Sequence, residues 1–454
     1  MKKRRYDKRK LISFILLCIS LVAIISLIVF ILMKAGVSVN LSDDDKPKKE
    51  IVVVDDTDFS KDAVETHVSV IEKGAYESYD LECFNNEPAT PELPVSKDSV
   101  FKTITFAAAG DIIVHSNVYK YAGELAQNTD AEYNFKPMIA NIKDIISSVD
   151  IAFVNQESPC AGKERGGYSG YPMFNTPDEI ADAVLDCGFD VVNIANNHML
   201  DKGASGHIRN VEFWNSKDVT LIGGFLDKED YENIRIVEKD GTKIAFLAYT
   251  YSTNGITLPS SSEIVVPYEV YDEIDRQTKA ARKMADIVIV SMHWGHEDWF
   301  SPSDNQKNLA NMMTENGVDV IIGTHPHVLQ PIEWKTRDDG HKTLVIYSLG
   351  NLISTMMYSR NMLGSLCTFT ILEANGEYSI TDVEMIPTMT YYKSGFSSPT
   401  VYLYKDFDDN MLAKHGAHKY DSQMSRSYLN GIIKKTIKSE FLPDPAYDAL
   451  YGRN

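Results

Sequence analysis

Short apolar runs separated by helical stretches are the feature of this 454-residue chain that most constrains its fold. Six runs of four to six residues, rich in Val and Ile, recur between residues 104 and 347. Runs of this length and composition are typical of buried β-strands rather than helices. The predicted strands are Ile104–Ala109, Ile151–Val154, Val191–Ala195, Ile287–Met292, Val318–Ile322 and Leu344–Tyr347.

Helical stretches lie between these strands, and a glycine follows two of them, where a helix commonly ends. Alternating strands and helices predict an α/β layered domain. Two hairpins, around Asp240-Gly241 and Asn375-Gly376, add antiparallel strands, so a mixed sheet or a sandwich of two sheets is expected. The predicted helices are Pro177–Cys187, Gly206–Lys217, Val270–Ala285, Asn305–Asn316 and, near the C-terminus, Arg426–Phe441.

The start of the chain predicts a membrane anchor. Leu11–Met33 is an apolar run of 23 residues without a charged side chain, long enough as a helix to cross a bilayer core of about 30 Å. Residues 1–10 are basic, and the positive-inside rule then keeps them in the cytoplasm. A cleaved signal peptide is the alternative, but its apolar core is usually shorter. The predicted location is the cell membrane, with one span and an extracytoplasmic domain.

Composition divides the rest of the chain. Residues 34–100, rich in Asp, Lys, Glu, Ser and Pro, are interpreted as an extracytoplasmic stalk. Residues 101–390 form the α/β domain, and residues 391–454 are a C-terminal extension. The net charge is −19, and such an acidic protein does not attract nucleic acid through general electrostatics, so no nucleic-acid partner is expected.

Residues that follow the predicted strands are candidate metal ligands. In open α/β sheets, ligands bind beyond the carboxyl ends of the strands. The donors here are oxygen and imidazole without thiolate, which suits Mn, Fe or Zn. Six or seven donors exceed the needs of one tetrahedral ion, so two divalent ions are expected. The strand-end residues are Asp111, Glu157, Asn197, His198, His293, His325 and His327.

One of these motifs also predicts how its two histidine side chains are oriented. His325-Pro326-His327 would place both imidazoles on the same side if the segment is extended, and Pro326 favours that form for His325.

The order of the motifs resembles a known family. The motifs are, in chain order, Gly110-Asp111, Asn155-Gln156-Glu157, Ala195-Asn196-Asn197-His198, His293-Trp294-Gly295-His296-Glu297, Gly323-Thr324-His325-Pro326-His327 and Ser348-Leu349-Gly350-Asn351. Together they look like the signature of capsule-synthesis CapA (PgsA) proteins. That family is tied to poly-γ-glutamate capsule production, and its fold is similar to that of calcineurin-like metallophosphoesterases. The match covers about residues 103–390.

The resemblance implies a four-layer αββα sandwich and a metal-dependent, phosphoesterase-like hydrolase. It implies that His198 corresponds to the proton donor. The residues that correspond to metal ligands are Asp111, Glu157, Asn197, His293, His325 and His327.

The chain also departs from the phosphoesterase pattern. Asp111 is followed by Ile112 and Ile113, so the Asp-x-His that opens that superfamily is absent. Glu157 stands where the usual bridging residue is Asp. These departures put full two-metal occupancy and phosphatase activity in doubt.

Four further residues are candidates for contact with substrate, namely His115, Arg165, His296 and Asn351. For His115 and His296 the alternative is a role behind the metal ligands, and Arg165 could equally lie in a solvated loop. The predicted function is capsule or poly-γ-glutamate biosynthesis, with a phosphoester or an anionic polymer as substrate and other membrane subunits of a polymer synthase as partners. The alternatives are a non-catalytic export or scaffolding subunit and a phosphoesterase unrelated to capsule.

Overall fold

Two mixed β-sheets form the centre of the protein, whose computed structural model describes residues 101–442. The strands are β1 (Phe101–Ile112), β2 (Ile151–Gln156), β3 (Val191–Asn193), β4 (Thr220–Ile222), β5 (Arg235–Lys239), β6 (Thr242–Thr250), β7 (Ile287–His293), β8 (Val320–Thr324), β9 (Ile332–Thr336), β10 (Lys342–Ile346), β11 (Asn351–Ile353), β12 (Leu363–Ala374), β13 (Glu377–Lys393) and β14 (Ser397–Leu403).

The strand order of the first sheet is β14-β13-β12-β1-β2-β3-β4, and β11 pairs in parallel with the end of β1. The order of the second sheet is β5-β6-β7-β8-β10-β9. Strands β1 to β4 are parallel, as are β6, β7, β8 and β10. Both predicted hairpins are present, as β5–β6 and β12–β13. The predicted mixed α/β architecture is confirmed.

Helices fill the connections between the strands. They are α1 (Ser116–Leu125), α2 (Lys136–Ile139), α3 (Lys143–Ile146), α4 (Ile180–Cys187), α5 (Gly203–Asn215), α6 (Lys228–Glu232), α7 (Tyr271–Met284), α8 (Asp304–Glu315), α9 (Asp409–Lys414) and α10 (Arg426–Thr436).

The layers follow from the alternation of side chains along each strand. In β1, Phe106 and Ala108 point into a core that the two sheets share, whereas Ala107 and Ala109 contribute to a second core with helices of the first sheet. The outer face of the second sheet packs in the same way against α7 and α8. Strands that are buried on both faces read as continuous apolar runs, which explains why the sequence revealed them so clearly.

Two elements end or begin at other residues than predicted because of local hydrogen bonds to the backbone. Strand β3 stops at Asn193 because its Oδ1 accepts a hydrogen bond from the N–H of Ala195 and turns the chain. Helix α4 starts at Ile180, three residues late, because the N–H of Ile180 bonds to the carbonyl of Pro177 in a tighter turn.

Residues 391–442, predicted as a C-terminal extension, pack with the two sheets. Strand β14 forms the edge of the first sheet, and Leu429 and Ile433 of α10 lie in the core between the sheets.

The predicted membrane location is contradicted. Among residues 101–442, no helix is long and apolar enough to cross a membrane. The longest, α7, has 14 residues, where a bilayer needs about 20. The predicted anchor Leu11–Met33 and the stalk lie outside the described residues, and no location is assigned in place of the membrane.

Glu269, between β6 and α7, makes stability depend on pH. Its Oε1 accepts a hydrogen bond from Asn305, but its buried Oε2 has no partner, and burial raises the pKa of Glu269 to about 7. Between pH 4.5 and 7 the folded protein keeps a proton that the unfolded chain has lost, so the free energy of unfolding falls as pH rises through this window.

We expect Glu269→Gln to remove this decrease in the free energy of unfolding with rising pH. Urea unfolding should show the variant about 1–3 kcal/mol more stable than the natural protein at pH 7.5 and equally stable at pH 4.5. Glu263→Gln, at an exposed side chain nearby, is the control. Parallel pH profiles for Glu269→Gln and the natural protein would contradict the assignment.

Candidate metal centre

The candidate metal centre lies where loops from both sheets meet beyond the carboxyl ends of their parallel strands. Register brings the first sheet's contributions together, because Asp111 pairs with Asn155 on β2 and with Asn351 on β11. The second sheet contributes His293, the last residue of β7, and the segment after β8. All six predicted ligands are buried, and the structure brings them into one group: Asp111, Glu157, Asn197, His293, His325 and His327.

Within this group, two pairs of donor atoms lie close together. Oδ1 of Asn197 lies 2.9 Å from Nε2 of His293, and Oδ2 of Asp111 lies 3.3 Å from Nδ1 of His327. Two ligands at right angles on one ion, each about 2.1 Å from it, are about 3 Å apart. The pair of Asn197 and His293 has the spacing of donors that share an ion, whereas Nδ1 of His327 also lies 3.0 Å from Oδ1 of Asn351.

Glu157 stands between the two pairs. Its Oε1 lies 3.9 Å from Nε2 of His293 and 3.6 Å from Nε2 of His327. Both oxygens are buried without a hydrogen-bond partner, and so is Nδ1 of His325. A buried carboxylate without partners costs several kcal/mol unless a cation or proton compensates it. These orphaned atoms fit a metal site.

The ligand atoms are also close enough together for coordination. In two groups every ligand atom lies within 4.8 Å of the others, and Glu157 belongs to both groups. One group adds His325 and His327 to it, and the other adds Asp111 and His293. A side chain common to both groups is suited to bridge two ions.

The expected extended form of His325-Pro326-His327 is wrong. His325 has φ +92° and His327 has φ +56°, a region that residues other than glycine rarely adopt. Such positions cost about 1–3 kcal/mol each and persist only where the surroundings hold them. Asp111 accepts the backbone N–H of His325, and Asn361 donates to the carbonyl of His327. The two rings lie 5.7 Å apart, centre to centre.

Burial and neighbouring charges shift the pKa values of the three imidazoles in different directions. Burial holds the pKa of His293 and of His325 well below the ordinary 6.5, so both are neutral and able to ligate metal. Burial also lowers the pKa of His327, but the Glu157 and Asp111 carboxylates outweigh it and raise that pKa to about 10. The pKa of Glu157 is raised well above 4.5, first by burial and then by Asp111.

His198 is held by a carboxylate that the sequence analysis missed. Nδ1 of His198 donates to Oδ2 of the buried Asp201 at 2.8 Å, and the same oxygen accepts the backbone N–H of Phe174 at 2.6 Å. With Nδ1 occupied, only Nε2 of His198 can exchange a proton with a substrate. Asp201 follows His198 by three residues, a spacing that places both on one turn and could have revealed it.

Two other polar residues hold the ligands from behind, and no role had been predicted for either. Nδ2 of Asn155 donates to Oδ1 of Asp111 at 2.7 Å. Oγ1 of Thr324 lies 2.9 Å from Nδ1 of His293. Such contacts fix the orientation of a ligand and leave its other atoms free for the ion.

The four predicted substrate contacts lie in different surroundings. Oδ1 of Asn351 lies 3.0 Å from Nδ1 of His327, which makes it a support of that ring. Nδ1 of His115 accepts the backbone N–H of Thr355, and burial lowers the pKa of His115 to about 4. His296 is exposed beside Trp299.

Arg165 is not brought to the centre. Its guanidinium pairs with neighbouring Glu164 at 2.7 Å, and among residues 101–442 it makes no hydrogen bond or ion pair with a candidate ligand. The glycine-rich loop that carries Arg165 instead directs its guanidinium towards Glu164, the preceding residue.

A turn after β11 links the centre to the C-terminal residues. Asn361 accepts a hydrogen bond from Nδ2 of Asn351 at 3.0 Å and donates to the carbonyl of His327 at 3.2 Å. The same turn is held by Asp421, whose buried carboxylate accepts both the N–H and the hydroxyl of Ser359. His327 is therefore supported from residues nearly one hundred positions further along the chain.

Comparison with known proteins gives consistent matches. A family model described as bacterial capsule synthesis protein PGA_cap matches residues 105–356. The chain is 26% identical over 309 residues to the PGA biosynthesis protein CapA of Bacillus subtilis (strain 168), which covers 65% of this chain and 74% of that protein. It is 27% identical over 264 residues to the capsule biosynthesis protein CapA of Bacillus anthracis, covering 57% of this chain and 61% of that protein.

Solved structures match more weakly. The NAD nucleotidase NadN of Haemophilus influenzae is 13% identical, with a TM-score of 0.40, and the alignment covers 78% of this chain and 67% of that protein. A structural similarity this low supports no conclusion about the chemistry of this chain.

Proposed function

The chain belongs to the bacterial capsule synthesis family PGA_cap, and from this premise we propose that it is a metal-dependent hydrolase of capsule or poly-γ-glutamate biosynthesis. The observation that carries the proposal is Glu157, whose two buried oxygens accept no hydrogen bond and lie among the candidate ligands of both groups. A purely structural core would bury an apolar residue there.

Two divalent ions, of Mn, Fe or Zn, fit the donor set. Asp111 and His293, with Asn197 beside His293, would hold one ion, and His325 and His327 would hold the other, while Glu157 belongs to both groups. Bound in such a site, divalent ions lower the pKa of water towards 7 and polarise the substrate oxygen that they contact.

His325 completes the donor set. It belongs to the group formed with Glu157 and His327, and its buried Nδ1 has no hydrogen-bond partner. The oxygen and nitrogen donors, without sulfur, favour these metals over soft ions such as Cu(I).

The protein's own residues supply the proton. His198 is placed to protonate the leaving group through Nε2, because Asp201 holds its Nδ1. Hydrolysis then forms a bond from water to the attacked centre, breaks the bond to the leaving oxygen and transfers the His198 proton to that oxygen. The proton lost by the attacking water passes to solvent, from which His198 is protonated again.

The substrate that we propose is a phosphoester or an anionic polymer. The chain carries a net charge of −19, so the attraction for an anion must arise locally, at the ions. Poly-γ-glutamate is joined by amide bonds, and a screen of phosphoesters beside γ-glutamyl amides separates the two reactions. We expect the phosphoesters to be hydrolysed.

A non-catalytic scaffolding role is the second candidate, and one observation favours it. At the position of the second ligand in Asp-x-His stands Ile113, a buried apolar residue that cannot bind metal. Metal-loaded protein that hydrolyses none of the screened compounds would support this alternative.

Removing two candidate ligands together tests the centre. We expect His325→Ala/His327→Ala to lose most of the metal that the natural protein retains through purification, as measured by elemental analysis. The matched control is His341→Ala/His418→Ala, because those imidazoles bond to backbone carbonyls outside the group. Equal metal in the natural protein and the first variant would rule out the proposed centre.

A further inference from the structure

The tip of one hairpin near His198 exposes three consecutive apolar side chains. Tyr171 is 74% exposed and Met173 is 41% exposed, and Pro172 between them is exposed as well. Hairpin tips normally carry polar residues and glycine, since water surrounds them. An exposed apolar patch next to a site is more often a binding surface than an accident of the fold.

Hydrogen bonds fix the base of this hairpin. Ser169 and Asn175 exchange backbone bonds of 3.0 and 2.9 Å. The buried side chain of Asn175 donates to the carbonyls of Gly162 and Gly167 and accepts the N–H of Ala161. The exposed tip is therefore presented in a fixed position.

The tip is connected directly to the proton donor. Phe174 is buried, its ring lies edge-on to His198 at 4.7 Å, and its N–H donates to Asp201. The ring of Tyr171 lies 6.4 Å from that of Phe174, again edge-on. His198, Phe174 and Tyr171 thus form one continuous aromatic wall that runs from the candidate centre to the surface.

The arrangement of the rings along this wall indicates which part of the substrate each ring would contact. A proton donor lies within about 3 Å of the leaving oxygen, so the group attached to that oxygen is the part of the substrate nearest His198. The exposed end of the wall is Tyr171, with Met173 beside it. Aromatic faces and methionine sulfur both pack favourably on flat rings.

We propose that Tyr171 and Met173 form a platform for a leaving group that presents a ring with an apolar face. The proposal rests on the proposed hydrolase function. Nucleobases and the C–H face of sugar rings share this chemistry.

Binding of non-hydrolysable ligands to the metal-loaded, full-length protein tests the platform without relying on turnover. Phe174 lies between His198 and Tyr171, so the ring of the probe is carried on a short chain. By calorimetry we expect 4-phenylbutylphosphonate to bind about tenfold more tightly than butylphosphonate, which carries the same anionic group and chain without the ring. Tyr171→Ala should bring this ratio to near one and leave butylphosphonate binding unchanged, whereas Tyr171→Phe should keep it. Because Tyr171 is exposed, its removal should not unfold the protein.

The control is Phe101→Ala, at an exposed aromatic residue on the opposite end of β1 from Asp111. A nucleoside phosphonate and a glycosyl phosphonate, measured with the same variants, show which kind of ring loses affinity when Tyr171 is removed.

The outcomes separate the two proposals. If both phosphonates bind equally to the natural protein, or if Tyr171→Ala leaves the ratio unchanged, the platform is overturned and the metal centre stands. If the natural protein retains no metal and binds neither ligand, the proposed function fails and the platform fails with it.

Discussion

Glu157→Gln is expected to abolish hydrolysis and to weaken metal binding more than any other single change. The variant keeps the size of the side chain but removes the charge that both candidate ions would share. Changes beside a ligand already cost 10- to 100-fold in metal affinity, so we expect losses above about 100-fold in affinity and about a thousandfold in rate. Metal titration and turnover of a phosphoester measure the two losses.

Stability distinguishes this result from simple misfolding. Neither oxygen of Glu157 has a hydrogen-bond partner, so the metal-free variant, which no longer buries that charge, should be at least as stable as the metal-free natural protein. Glu157→Asp, which keeps the charge, is the matched variant and should retain part of the metal. If Glu157→Gln retains metal and activity, Glu157 is not a ligand.

His198→Gln is expected to lower turnover by about 10² to 10⁴ while the metal content stays the same. The loss should depend on the leaving group, since an alkoxide needs a proton to depart and p-nitrophenolate does not. Alkyl phosphoesters should therefore lose much more rate than p-nitrophenyl esters. The rates of both classes, measured with saturating metal, give the comparison.

Asp201→Asn is the companion change for His198. It keeps the shape of the group that faces Nδ1 but removes the carboxylate, so it should reproduce the same dependence on leaving group in weaker form. A uniform loss for all esters, or loss of metal from His198→Gln, would contradict the proton-donor role.

Much of the fold could be predicted because the central strands are buried on both faces. Val191–Ala195 and Ile287–Met292 are runs of mostly apolar residues, and the structure places β3 and β7 there with shifts of one or two residues. The candidate site could be predicted for a related reason. Parallel strands bring their carboxyl ends to one edge of each sheet, and donors at the ends of β1 and β8 meet although more than two hundred residues separate them.

The features of the candidate site that the sequence did not predict depend on contacts between residues that are distant in the chain or on loop conformation. The positive φ of His325 and His327 arises from partners elsewhere in the chain, and the sequence around Pro326 favours the opposite conformation. Arg165 looked like an anion contact, but the loop directs it to Glu164. Asp421 has no motif of its own and acts through Ser359, so only the tertiary structure connects it with the centre.

The position of Asp421 also affects when the centre can mature. Chains leave the ribosome from the N-terminus, and the last candidate ligand, His327, emerges 94 residues before Asp421. Until Asp421 has been synthesised, the turn at Ser359 lacks its carboxylate partner, and the carbonyl of His327 depends on that turn. The candidate centre can therefore reach its final geometry only after Asp421 has been synthesised.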